Sequence, residues 1–420
     1  MGVYHILGGR PLHGRITVQK SKNAVLPMIA AALLCEETVV LKGCPHISDV
    51  CDMVEILKML GAKVLWEGSD LYLECKTVEN DTVEGALAEK MRSSVLFLGS
   101  LLGRKGRAVV HAPGGCTIGK RPTDLHQMAL ARLGAHVEEK NCEIIAEAKR
   151  LTGTLIVFPK VSVGATENAV LCGVLAEGVT VLENCAREPE IWHLCQLLNN
   201  MGAKIEGAGT SRIVIRGVGR LHGCTFLVPP DRIAAGTYLM AGAITRGTVI
   251  LEEAPVEEMG AVLGVYEKMG GQYAIIGGTL VTDSQNVHLA VPYLETSGYP
   301  GFPTDLQSLY LAVAVTLEGS SRIRETIFED RMKTAGELRK MGAKLKIEDQ
   351  EICTENSRLL GADVTSTDLR GGAALVIAAL GAKGITTIRR IHLMERGYER
   401  FPENLSALGA KILVENEALV

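Results

Sequence analysis

A four-residue phrase, Leu-Gly-Ala-Lys or a near variant, returns six times along the chain, with its glycine at Gly61, Gly134, Gly202, Gly270, Gly342 and Gly409. The spacing stays between 67 and 73 residues. That period is too long for a solenoid repeat and suits a small βαβ-type unit used six times. Each phrase closes a helical pattern, as in MVEILKMLGAK and TAGELRKMGAK, and opens alternating text such as KLKIEDQEICTEN. Glycine just past a helix end fits a left-handed C-cap. The halves also match: Leu12-His13-Gly14 returns as Leu221-His222-Gly223, and Gly61 as Gly270, both at an offset of 209. Duplication of a three-unit half is the simplest account, and 420 residues leave room for two domains. The chain then crosses between domains near 19–22 and 228–231. Residues 21–229 form one domain; by symmetry, residues 1–20 complete the other with 230–420.

Every unit carries a second helical pattern: KNAVLPMIAAALL, RSSVLFLGSLLG, TENAVLCGVLAEG, DRIAAGTYLMAGAI, TDLQSLYLAVAV and DLRGGAALVIAAL. These are apolar all round, so they belong in the centre of each domain. Aromatics are only 4% of the chain, which leaves Ala, Val, Leu and Ile to build those layers. The openings carry Lys22, Arg92, Thr166, Arg232, Asp305 and Asp368 with Arg370. One reading makes them ordinary caps, which suits Thr166 and Asp231. The other lets the helix starts converge on an anionic ligand, with free N–H groups and positive dipole ends around it. Four cations at positions where the dipole repels cations favour the second.

A net charge of −4 without a basic tail or stripe argues against nucleic acid, so any anion site is local. Eleven cysteines form no C-x-x-C pair and no zinc spacing. A reducing cytoplasm, no metal and no cofactor are expected. No stretch reaches the roughly 18 apolar residues of a membrane span, and the opening MGVYHILGG lacks a signal-peptide pattern.

One loop breaks the repeat. From turn to phrase glycine the other units take 23 to 25 residues, whereas Gly106 to Gly134 takes 28. The surplus lies in HAPGGCTIGKRPTDLH, and long glycine-bearing loops often serve as lids. The loop nearly matches a phosphate-binding G-x-x-x-x-G-K-[ST], but Arg121 stands where a magnesium-binding hydroxyl belongs, which disfavours an ATPase. Cys116 sits among glycines with Lys120 and Arg121 close by, neighbours that pull a thiol below its usual pKa of about 8.5. It is either a mobile acid–base group or a bystander thiol; the loop's exceptional length favours the first.

GGCTIGKRPTDL, SKNAVLP, KVSVGATE, FPTDLQ, AREPEIW, FEDR and RGYER together resemble the UDP-N-acetylglucosamine enolpyruvyl transferases, or 1-carboxyvinyltransferases, of the EPSP synthase superfamily, nearly end to end. The resemblance implies an α/β fold: a two-domain inside-out α/β barrel, three units per domain around buried helices, with the active site in the interdomain cleft. It implies transfer of the enolpyruvyl group of phosphoenolpyruvate to the 3-hydroxyl of UDP-N-acetylglucosamine, the first committed step of peptidoglycan synthesis. By motif, Cys116 becomes the acid and Asp305 the base. Lys22, Arg121, Arg370 and Arg396 bind phosphoenolpyruvate and stabilise developing charge, a task suited to the planar arginine fork. The nucleotide sugar falls to Asn23, Arg92, the run Arg121, Pro122, Thr123, Asp124 and Leu125, and the run Lys160, Val161, Ser162 and Val163, with Ile327 against the sugar. Asp368 and Leu369 join Arg370 among the substrate contacts.

Plainer roles stand beside these. Asp305 can cap its helix as well as act as base, Asp368 and Arg370 can form an ion pair, and Lys160 can be a solvated strand end. His126 is read as a core or loop-fixing histidine rather than an extra base; Arg331 and Glu188 are read as braces. Lys120 stands where many relatives carry a small residue, and Thr123 where many carry an apolar one. The implied partners are two small molecules, and no oligomeric state is encoded in these motifs. The sister family acting on shikimate 3-phosphate lacks such a GGC loop, and a regulatory homologue without turnover is the other alternative.

Overall fold

The computed structural model describes residues 2–111 and 122–416 and builds six four-stranded sheets among them. In the first sheet, Thr225–Leu227 runs parallel to Val39–Lys42; Val39–Lys42 pairs antiparallel with Asp70–Glu74, and that strand with Lys63–Glu67. Alternate residues of Asp70–Glu74 are buried, so each sheet turns one face inward and leaves the other wet. The sixth sheet keeps this pairing, but its inner strand comes from the other end of the numbering. Gly2–Leu7 takes the inner place there, antiparallel to both Ile385–Arg389 and Lys411–Asn416. His13–Thr17 lies parallel to Thr248–Glu252 in the fourth.

The six phrase glycines have φ between +93° and +107°, a region that side chains with a Cβ resist. Each ends its helix in the same double bond. In the first, Ala62 N–H donates to the Leu57 carbonyl and Gly61 N–H to that of Lys58, both at 3.0 Å. The cap carbonyl then accepts from the next segment: Leu60 from Glu79, Met201 from His222 and Leu408 from His13, each at 2.9 Å. The His222 and His13 bonds join a third unit back to a first. Three units therefore close on themselves twice.

The described chain divides into two compact units, residues 2–19 with 230–416, and residues 20–111 with 122–229. Each has its own apolar core. Three central helices fill the core of the 20–229 unit: Lys22–Ala32, Phe97–Lys105 and Val163–Gly173. Their counterparts in the other are Arg232–Thr245, Gln307–Ala314 and Leu369–Gly381. Every residue from Ile233 to Thr245 is buried, and each fully buried Leu or Ile contributes about 1.5–3 kcal/mol. Small residues set the approach: a Cβ on Gly99 would lie 2.6 Å from the Asn168 backbone oxygen. No described helix is long and apolar enough to cross a membrane.

Candidate active site

Three buried helices of the 230–416 unit begin close together, and charged side chains meet there. Asp305 lies in a 3-10 turn, Thr304–Leu306, just ahead of Gln307–Ala314. Its Oδ1 accepts from Arg331 Nη2 at 2.8 Å; its Oδ2 accepts from Arg370 Nη2 at 2.9 Å and Nε at 3.3 Å. Both arginine side chains are nearly fully buried. Arg331 also donates to Thr304 Oγ1 at 2.7 Å, which makes it the brace anticipated from FEDR. Burial opposes the charge of Arg370, but Tyr398, Asp305 and Asp231 outweigh it and raise the guanidinium pKa. The Arg370 guanidinium carbon stands 5.3 Å from the Tyr398 ring centre. Arg370 Nη1 is buried with no acceptor among the described residues, a donor suited to an anionic ligand.

Several expectations about helix starts need correcting. Among the described residues Asp305 accepts no capping bond from the helix it precedes; its oxygens face the two arginines instead. Asp368 and Arg370 form no side-chain ion pair. Asp368 is the cap of Leu369–Gly381, accepting from the backbone of Arg370 at 3.0 Å and Gly371 at 2.9 Å, while the Arg370 side chain turns to Asp305. Asp231 does cap Arg232–Thr245, through Ile233 N–H and Ala234 N–H. Thr166 caps nothing. Ser162, one turn earlier and extended (φ −145°), accepts from Ala165 N–H, and Thr166 Oγ1 donates back to the Ser162 carbonyl.

In the 20–229 unit, Ser21 caps Lys22–Ala32, and Lys22 Nζ lies 2.8 Å from buried Asp49 Oδ2. Asn23 follows on the same turn, half-buried. Arg92 opens the 3-10 turn Arg92–Leu96 and donates from Nη2 to the Pro122 carbonyl at 2.9 Å, bringing two of the expected nucleotide residues together. Thr123 and Leu125 are half-buried and Asp124 is exposed, at the head of helix Asp124–Arg132. The run 160–163 passes from exposed Lys160 and Val161 to half-buried Ser162 and Val163.

His126 joins these two runs. Its Nδ1 accepts from Asn168 Nδ2 at 2.7 Å, while Asn168 also holds Gly99 N–H and the Val95 carbonyl. A Cβ on Gly164 would lie 2.9 Å from the His126 ring, so Gly164 lets the ring approach the start of Val163–Gly173. Burial, then Arg92, pushes the His126 pKa down to about 3, so this is the core histidine expected and not a base. Glu188 precedes Pro189–Asn200 without a side-chain cap; nearby buried Glu167 is raised well above the usual carboxylate range by burial, then by Glu190 and Glu188.

Arg396 sits half-buried in a turn and Ile327 is exposed. Cys116, Lys120 and Arg121 lie outside the described residues. Sequence reasoning missed Asp49, Asn168 and the use of Tyr398 under Arg370. An acid in the first turn of a helix, as at Asp49, was the one available signal.

Residues 6–405 match the family model described as EPSP synthase (3-phosphoshikimate 1-carboxyvinyltransferase). A protein of Koribacter versatilis named UDP-N-acetylglucosamine 1-carboxyvinyltransferase is 44% identical over 417 residues, covering 98% of this chain and 96% of that protein. One of Caldanaerobacter subterraneus, UDP-N-acetylglucosamine 1-carboxyvinyltransferase 2, is 41% identical over 414 residues, 98% of this chain and 99% of its own length. Among solved structures, the enolpyruvyl transferase NikO of Streptomyces tendae superposes with a TM-score of 0.89 at 25% identity, covering 98% of each chain.

Proposed function

The chain belongs to the UDP-N-acetylglucosamine 1-carboxyvinyltransferases within the EPSP synthase family, and from that membership we propose that it transfers the enolpyruvyl group of phosphoenolpyruvate to the 3-hydroxyl of UDP-N-acetylglucosamine. The hydroxyl oxygen adds to C2 of phosphoenolpyruvate while C3 gains a proton, giving a tetrahedral ketal. Loss of a C3 proton and of phosphate then leaves the enolpyruvyl ether. In this reading Asp305 takes the hydroxyl proton and Cys116 serves C3. Lys22, Arg121, Arg370 and Arg396 hold the phosphate and carboxylate. Asn23, Arg92, residues 122–125, residues 160–163, Ile327, Asp368 and Leu369 serve binding. The proposed roles draw on residues of both units.

One observation carries the assignment: a carboxylate gripped at each oxygen by a buried arginine, where three buried helices begin. Such a place fixes a proton acceptor among donors for anions. The ten described cysteines are free thiols, which supports a cytoplasmic setting. The product suits peptidoglycan assembly.

Phosphate release separates the rivals. With phosphoenolpyruvate present, UDP-N-acetylglucosamine should support release and shikimate 3-phosphate should not. Release with shikimate 3-phosphate alone would overturn the acceptor; binding of the nucleotide sugar without turnover would favour a regulatory protein. In the same assay Cys116→Ser should lose about 10²-fold or more in turnover and resist alkylation by fosfomycin.

A further inference from the structure

A chain of hydrogen bonds leads from Asp305 to a group that the proposed reaction does not use. Glu325 is fully buried, at the end of strand Ser320–Arg324. A buried carboxylate survives only when its oxygens are satisfied, and the two here are committed to different tasks. Oε1 accepts from Ile327 N–H at 2.8 Å and from Phe328 N–H at 3.1 Å, shaping the turn that carries Ile327. Oε2 accepts from Thr304 Oγ1 at 2.9 Å.

A threonine hydroxyl has one proton. Since that proton goes to Glu325, the lone pairs of Thr304 face Arg331 Nη1, 2.7 Å away. The other terminal nitrogen of Arg331 holds Asp305 Oδ1. Arg331 also stacks against the turn itself, its guanidinium carbon 5.2 Å from the Phe328 ring centre. The turn and the carboxylate are thus joined twice, by relay and by packing. Thr326 pins the same turn to Thr296 through Oγ1 at 2.6 Å and through its N–H at 3.0 Å. A shift at Ile327 therefore meets a stiff support and reaches Asp305 through only three side chains.

We propose that Glu325 is a positioning residue: through Thr304 and Arg331 it couples the turn at Ile327 to the orientation of Asp305, so that contact with the acceptor sugar sets the base. The inference rests on the proposed function, in which Ile327 meets the sugar and Asp305 takes its proton. Glu325 itself touches neither substrate nor reacting atoms. Its carboxylate gives the relay a direction, because an acceptor at Oε2 takes the Thr304 proton and keeps both hydroxyl lone pairs open to Arg331.

The test uses the full chain with Thr304→Val, Thr304→Ser and Glu325→Gln, each assayed for phosphate release over a range of pH and of UDP-N-acetylglucosamine. Thr304→Val removes the hydroxyl at nearly constant shape. Glu325→Gln keeps an oxygen for the two backbone N–H groups but turns an NH2 toward Thr304, reversing the relay. Both should lower kcat about tenfold, with a smaller change in KM for phosphoenolpyruvate, and should shift the pH limb of kcat that belongs to the base. Thr304→Ser should recover to within about twofold. The double variant Thr304→Val with Glu325→Gln should fall no further than the worse single, because both cut one path.

Parental kcat, KM and pH limb in both Thr304→Val and Glu325→Gln would overturn the coupling. So would a serine variant as impaired as the valine, or losses that multiply in the double variant. If the parent chain itself transfers nothing to UDP-N-acetylglucosamine, the proposed function falls and this inference with it. An active parent with indifferent variants removes the coupling alone.

Discussion

At the scale of single residues, His126 turns burial into a pH dependence. Asn168 donates to its Nδ1, which leaves the proton on Nε2, and burial holds the folded pKa at about 3 against 6.5 for a free imidazole. Between those values the unfolded chain binds the proton and the folded chain does not, so stability is full above about pH 6.5 and falls as pH drops toward 3. The cost should be about 2 kcal/mol by pH 5. Trp66 and Trp192 are the chain's two tryptophans and both lie in the 20–229 unit with His126, so their fluorescence reports on that unit. The urea midpoint read this way should fall between pH 7 and pH 5, and much less so in His126→Gln; equal falls would place the titration elsewhere. The tie between Arg331 and Asp305 shows where sequence reasoning ran short at this scale. FEDR suggested a brace, but not its target 26 residues away, because carboxylate–guanidinium geometry is settled by tertiary packing.

Elements were the most legible scale. A glycine with φ near +97° is a local demand of the helix end, so six phrase glycines announced six C-caps. Two substitutions separate conformational cost from collision. At Gly342 a new Cβ would meet nothing nearer than the Arg358 carbonyl at 3.4 Å, so Gly342→Ala should cost only the left-handed conformation, about 1–2 kcal/mol. At Gly270 the same Cβ would lie 2.2 Å from the Asn286 carbonyl, and backbone must move. Both glycines sit in the unit of 230–416, and calorimetry should show Gly270→Ala lowering Tm by several degrees more than Gly342→Ala. Equal shifts would contradict the collision. Helix starts were less legible because their chemistry is degenerate. KVSVGATE offers two hydroxyls, and only backbone geometry chose Ser162 over Thr166. The 3-10 entry at Thr304–Leu306 likewise freed Asp305 from capping, which no local pattern signalled.

For the whole molecule, the two apolar cores give each unit the means to stand alone. The 20–229 unit has its ends tied, since Ser21 N–H donates to the Pro229 carbonyl at 2.7 Å. A fragment of residues 20–229 should therefore fold cooperatively, with the tryptophan emission and urea midpoint of the same unit in the full chain; a fragment without a cooperative transition would show that this core depends on the rest. The period of the repeat revealed the six units, but not the place of Gly2–Leu7 inside the sixth sheet. Its register with Ile385–Arg389 and Lys411–Asn416 joins segments from opposite ends of the numbering, beyond the reach of any local pattern. That strand also imposes an order on biosynthesis. It is made several hundred residues ahead of both its neighbours, Ile385–Arg389 and Lys411–Asn416. While translation proceeds, residues 20–229 can settle as soon as they are made, whereas Gly2–Leu7 must wait, without its sheet, until the segments from 385 onward appear.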